Sequence, residues 1–163
     1  MSKDSKAIRK SHNETVLLYH IVCAIKYRRV VIDPDVDTVI NQVCEGIELR
    51  YDIRFLEIGT GLDHIHFLIQ PVPDYSATKI VRTIKSILAR EVFRQCPKVK
   101  QLLWGGEFFG KGYYTNTVGQ YGTENMIANY VKNQGKRVPT TNNGNSAKNT
   151  EPHWQLKAVW QHF

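Results

Sequence analysis

Apolar and β-branched positions run almost unbroken through residues 15–26, which predicts a buried strand. Asp33 followed by Pro34 has the form of a helix N-cap with proline at the first helical position. Val36, Val39, Ile40, Val43, Ile47 and Leu49 then recur at near-helical spacing, so a helix is expected to end near Tyr51. Residues 53–60 and 64–70 read as two strands, close enough across Gly59-Thr60-Gly61-Leu62-Asp63 to form a hairpin. Pro71-Val72-Pro73-Asp74 breaks the pattern. Ser76 can then cap a helix with Ile80, Ile84, Ile87, Leu88 and Val92 on one side and most of its arginines and lysines on the other. A glycine- and aromatic-rich connection over 103–112 leads to a short strand over 113–118. Thr123 or Glu124 opens a last helix, about 123–134, which Gly135 stops.

The resulting order, β-α-β-β-α-β-α, predicts an α+β fold: a ferredoxin-like or RRM-like sandwich, its antiparallel sheet covered by helices on one face, plus a C-terminal helix. The histidine-bearing face of its third strand can then lie under a helix or open to a ligand. Residues 1–13 read as a flexible arm, 14–135 as the domain and 136–163 as a polar linker with an aromatic tail. That tail carries Trp154 and Trp160, which can stack on bases or bury against a neighbouring subunit; the second reading is favoured.

A length of 163 residues with 42% hydrophobic content suits a single globular domain. No apolar run approaches a membrane span and residues 1–13 lack a signal-peptide core, so a cytoplasmic protein with no membrane partner is expected. Cys23, Cys44 and Cys96 form no CxxC pair and read as reduced core thiols. The net charge of +7 favours a polyanionic partner. Its cations cluster at Lys26-Tyr27-Arg28-Arg29, along Lys79, Arg82, Lys85, Arg90 and Arg94, and at Lys132, Lys136 and Arg137.

The chemistry centres on Asp63-His64-Ile65-His66-Phe67. A strand has a period of two, so His64 and His66 share one face and present two imidazoles, half of a divalent-metal site. On the last helix Tyr130 and Gln134 are four residues apart and therefore neighbours. The Gln134 carbonyl oxygen is a candidate third ligand. The Tyr130 phenolate is a candidate nucleophile toward phosphorus, giving a covalent phosphotyrosine that retains the phosphodiester for rejoining. Plainer readings stay open: a His-x-His strand is often structural, and Tyr130 also fits a buried stripe with Ile127, Val131 and Gln134. Tyr113, Tyr114 and Tyr121 are alternative nucleophiles. A histidine-triad nucleotide hydrolase would need a third histidine at position 68, which is Leu68.

Taken in order, several segments resemble the single-tyrosine HUH transposases of the IS200/IS605 family. They are Tyr19-His20-Ile21-Val22 with Lys26-Tyr27-Arg28-Arg29, Asp63-His64-Ile65-His66, Leu103-Trp104-Gly105 with Phe108-Phe109, and Tyr130-Val131-Lys132-Asn133-Gln134. The resemblance covers about residues 15–137. It implies His64, His66 and Gln134 as ligands of Mg2+ or Mn2+, and Tyr130 as the nucleophile. It further implies cleavage and rejoining of single-stranded DNA at hairpin-marked ends through a 5′-phosphotyrosine. It implies a homodimer with active sites completed in trans, and Lys26, Arg28 and Arg29 on the DNA backbone. Leu62 departs from a proline common before the family's histidines. The related alternatives are a repetitive-element-associated tyrosine transposase and a domesticated, non-catalytic hairpin-DNA-binding protein.

Overall fold

Part of the expected N-terminal arm is ordered. In the computed structural model, which describes residues 7–10, 12–118, 128, 129 and 131–133, strand β1 (Ile8–Lys10) pairs antiparallel with β2 (Asn13–Thr15). The pairing sets opposite charges face to face, a feature that hydrophobicity does not announce. Arg9 lies directly across from Glu14 and ion-pairs with it at 3.2 Å.

The main sheet is built from β3 (Leu18–Ala24), β4 (Ile53–Thr60), β5 (His64–Pro71) and β6 (Tyr114–Val118), in spatial order β4-β5-β3-β6 and antiparallel throughout. Between β3 and β4 runs α1 (Pro34–Arg50), and between β5 and β6 runs α2 (Ala77–Gln95). This is the α+β sandwich expected from the sequence, with its central strands β3 and β5 the most apolar. The caps also fall as expected. The Asp33 carboxylate accepts from the Val36 N–H, and the Ser76 hydroxyl from the Lys79 N–H. A short helix, α3 (Pro97–Leu102), follows α2 and was not anticipated. Pro97 starts it, and Lys98 ties it back to the α1 cap at Asp33 (2.6 Å).

Alternation along the strands sorts the two faces of the sheet. Ile21 and Cys23 of β3, Ile25 just after it, and Ile65, Phe67 and Ile69 of β5 join the core with Val36, Ile40 and Ile47 of α1 and Ile80, Ile84 and Leu88 of α2. Cys23, Cys44 and Cys96 are all buried and free. The opposite face carries Leu18, His20 and Val22 of β3 and His66 and Leu68 of β5, with Leu18, Leu56, Leu68 and Val118 clustered there. The histidine face is therefore the one not covered by α1 and α2.

The edge strand β4 has a register shift between Phe55 and Glu57, and the Phe55 N–H donates to the Glu48 carboxylate of α1 (2.6 Å). At its far end, Gly59 lies opposite His66. The helical residues Ala128, Asn129, Val131 and Lys132 come down on this face: Ala128 packs on the Leu18/Leu56/Leu68/Val118 cluster, and the Val131 carbonyl rests on Gly59. A Cβ at position 59 would overlap that carbonyl, so glycine is what permits the close approach.

Two glycine substitutions should move stability in opposite directions. Gly59→Ala is expected to lower the unfolding free energy by roughly 1–3 kcal/mol, because the backbone at Val131 must give way. Gly46→Ala, within α1 and with nothing near its Cβ position, should raise it by about 0.5–1 kcal/mol. Urea denaturation of the two variants checks both signs.

Candidate active site

Two neighbouring strand positions build the centre of the site. His64 and His66 project from β5, their ring centroids 5.0 Å apart and their planes at 70°. His66 is 5% exposed, whereas His64 is partly open to solvent.

Each ring is oriented by a partner on Nδ1. His64 Nδ1 donates to the Asp63 carboxylate (2.6 Å), whose other oxygen accepts from Arg28 Nε and Nη2 (2.8 and 2.7 Å). His66 Nδ1 meets Nε2 of His20, a buried histidine on β3, at 3.0 Å, and those two rings stack with centroids 5.2 Å apart. With Nδ1 committed on both residues, a metal ion held by the pair would be held through Nε2. A ligating histidine is usually aimed by a carboxylate, carbonyl or water on its other nitrogen; Asp63 fills that place for His64, and the His20 imidazole takes it for His66. The donor set therefore fits a divalent metal. Among the described residues no group of three or more His, Cys, Asp and Glu side chains is arranged to hold one, so further ligands must be of another type or lie elsewhere.

The loop before the histidines is held by backbone bonds. The Asp63 carbonyl accepts from the Ile25 N–H (2.8 Å), and the Leu62 carbonyl accepts from the Val31 and Ile32 N–H groups (both 3.2 Å). Gly61 lies against the His64 ring so closely that a Cβ there would overlap it. Burial pushes the His20 pKa down to about 4. It also holds His66 well below the usual imidazole value, with the neighbouring His20 and His64 adding to the effect. Both rings stay neutral near pH 7, the state in which an imidazole nitrogen can ligate.

A family model described as "Transposase IS200 like" matches residues 13–134. The chain belongs to the IS200-like transposase family. Among its relatives, the transposase for insertion sequence element IS200 of Salmonella typhimurium is 30% identical over 135 residues, 80% of this chain and 84% of that protein. The ISDra2 transposase TnpA of Deinococcus radiodurans is 27% identical over 118 residues, 72% of this chain and 84% of that one. A crystal structure of a candidate transposase from Deinococcus radiodurans R1 superposes with a TM-score of 0.64 at 25% identity, over 80% of this chain and 99% of that one. A REP-associated tyrosine transposase bound to a REP hairpin shares the fold at 8% identity, with a TM-score of 0.53, over 76% of this chain and 70% of that one.

The IS200-like transposase thus brings His64 and His66 together as the strand period requires. Tyr130 and Gln134, the expected nucleophile and third ligand, lie outside the described residues, as do the linker and tail over 136–163. Of the basic segment, Lys26 pairs with Glu107, Arg28 with Asp63, and Arg29 is exposed. Sequence reasoning did not assign His20 to the site. A polar residue at the in-phase position of an apolar strand was the available signal, but its partner is 46 positions away. The cationic side of α2 belongs to the helix layer, across the sheet from the histidines. There Lys85 donates to the carbonyls of Gly110, Lys111 and Gly112 (2.6, 3.3 and 3.1 Å), and Arg94 bonds Glu91. No helix among the described residues is long and apolar enough to cross a membrane.

The buried histidines set a pH dependence. The unfolded chain takes up protons on them below about pH 6.5 while folded His20 resists until about pH 4, so stability is full above 6.5 and falls as the pH drops toward 4. His20 alone should contribute a slope of about 1.4 kcal/mol per pH unit in that window. Urea unfolding between pH 4 and 7.5 should show it, with a shallower slope for His20→Gln.

Proposed function

We propose that this IS200-family transposase cleaves and rejoins single-stranded DNA at hairpin-marked ends as a homodimer, with Tyr130 as nucleophile. His64, His66 and Gln134 would hold a Mg2+ or Mn2+ ion. The observation that carries the reading is the pair of Nδ1-anchored histidines, His64 and His66, on the sheet face where Ala128 and Val131 pack. Asn129 and Val131 are the neighbours of Tyr130, and Val131 rests opposite His66 through Gly59.

The chemistry follows from the residue types. The Tyr130 phenol loses its proton and its oxygen attacks the scissile phosphorus. A Tyr–O–P bond forms as the P–O3′ bond breaks, and the 3′ oxygen leaves as a hydroxyl after taking up a proton. A divalent ion, when bound, polarises the phosphate and stabilises the leaving oxygen. Attack of a 3′-hydroxyl on the phosphotyrosine reverses the exchange and rejoins strands, with no external energy source because one phosphodiester-type bond replaces another. His20 and Asp63 fix which nitrogen each site histidine presents. The exposed Arg29 is suited to a backbone phosphate.

Labelled single-stranded DNA from the element's ends, incubated with the protein and Mn2+ or Mg2+, should yield a covalent adduct that survives denaturation. Tyr130→Phe should abolish it. Hairpin binding without an adduct under either metal would replace the transferase reading with that of a binding module. A second measurement isolates the anchoring of His64: in an electron paramagnetic resonance titration without DNA, Asp63→Ala should weaken Mn2+ binding roughly 10- to 100-fold.

A further inference from the structure

Next to Arg28, which holds the Asp63 carboxylate behind His64, two large rings stand out in solvent, one of them on a strained turn. Tyr27 is 59% exposed and Trp104 is 70% exposed; their rings stack with centroids 6.0 Å apart and planes within 18° of parallel. Tyr27 stands in a tight turn, Lys26–Arg28, where it and Arg28 both adopt left-handed backbone angles (φ 56° and 54°). Consecutive non-glycine residues in that region are costly, and such strain is retained where something else fixes the geometry. Trp104 stands on its own turn, anchored by the buried Leu103. The Gly106 N–H donates to the Leu103 carbonyl (3.3 Å), and Gly105 at φ 100° takes a conformation open to glycine. The two turns are joined by the Lys26–Glu107 ion pair and by the Lys26 N–H donating to the Phe108 carbonyl (2.9 Å).

We propose that Tyr27 and Trp104 form a stacking platform for an unpaired base of single-stranded DNA beside the His64/His66 site. The proposal rests on the strand-transfer reading above and deepens it by naming where a nucleotide next to the reacting phosphate is gripped. Near-parallel rings offer a flat π-face, which any base can stack on. The exposed Arg29 follows two residues after Tyr27 and supplies a cation for the phosphate that comes with each base, while Lys26, 5.2 Å from the Tyr27 ring centre, is paired with Glu107. The platform is also tied to the site. Arg28, next to Tyr27, holds the carboxylate that orients His64, so the residues that grip the base and aim the histidine share one turn.

The test is fluorescence anisotropy of the full chain with two labelled twelve-nucleotide probes, oligothymidylate and the same backbone without bases. The platform predicts several-fold tighter binding of the base-bearing probe. Trp104→Ala should weaken that binding about tenfold and erase the difference between probes. Trp104→Phe should retain most of it. Thermal unfolding of these surface variants controls for folding. Equal binding of both probes, unaffected by Trp104→Ala, would overturn the platform while leaving DNA binding intact. Failure of the wild-type protein to bind either probe would bring down the platform and the DNA reading together. A dimer that becomes a monomer on sedimentation of Trp104→Ala, with oligothymidylate affinity unchanged, would assign the rings to an interface between copies and overturn the proposal.

Discussion

The Asp63 carboxylate joins three parts of the molecule that are far apart in sequence. One oxygen takes the Nδ1 proton of His64, the other takes the guanidinium of Arg28, and the backbone carbonyl of the same residue accepts from Ile25 at the end of β3. The hairpin loop, the basic turn and the first strand of the main sheet are thereby locked together. Charge-assisted bonds of this kind are worth most where water is partly excluded, and Asp63 and His64 are both largely covered. Were this carboxylate lost, His64 would lose its orienting partner and Arg28 would lose the contact that holds a strained turn in place.

His66 is fixed by different means. It sits deeper, and a second imidazole does for it what a carboxylate does for His64. The difference follows from burial: a charged partner at that depth would carry a large desolvation cost, whereas a neutral ring carries little. Two histidines on one face of a strand therefore draw their orientation from opposite kinds of chemistry, one ionic near the rim and one neutral within the sheet.

Much of this was legible in the chain. The Asp33-Pro34 and Ser76 helix starts, the hairpin around residues 59–63 and the shared face of His64 and His66 all depend on neighbours within a few residues, and local rules read them correctly. What escaped depends on register. His20 joins the site because Val22 pairs with His66 across two strands, and the Arg9–Glu14 pairing in the first ribbon is likewise a cross-strand fact. The α3 helix escaped because six residues carry too little periodicity to be seen. The basic run Lys26-Tyr27-Arg28-Arg29 was recognised as cationic, yet two of its charges are engaged within the protein, a division of labour that composition cannot express.

The left-handed turn at Tyr27 and Arg28 also bears on how such a protein can change over time. Glycine at either position would relieve the backbone, although at position 28 it would also remove the ion pair with Asp63. That same exchange would delete a ring or the guanidinium behind Asp63, so gains in heat resistance at this spot are bought with the geometry of the site. Selection for durability and selection for strand transfer therefore pull in opposite directions here, and a thermostabilised descendant should carry its improvements elsewhere, in α1 or along the β4 edge, and leave this turn strained.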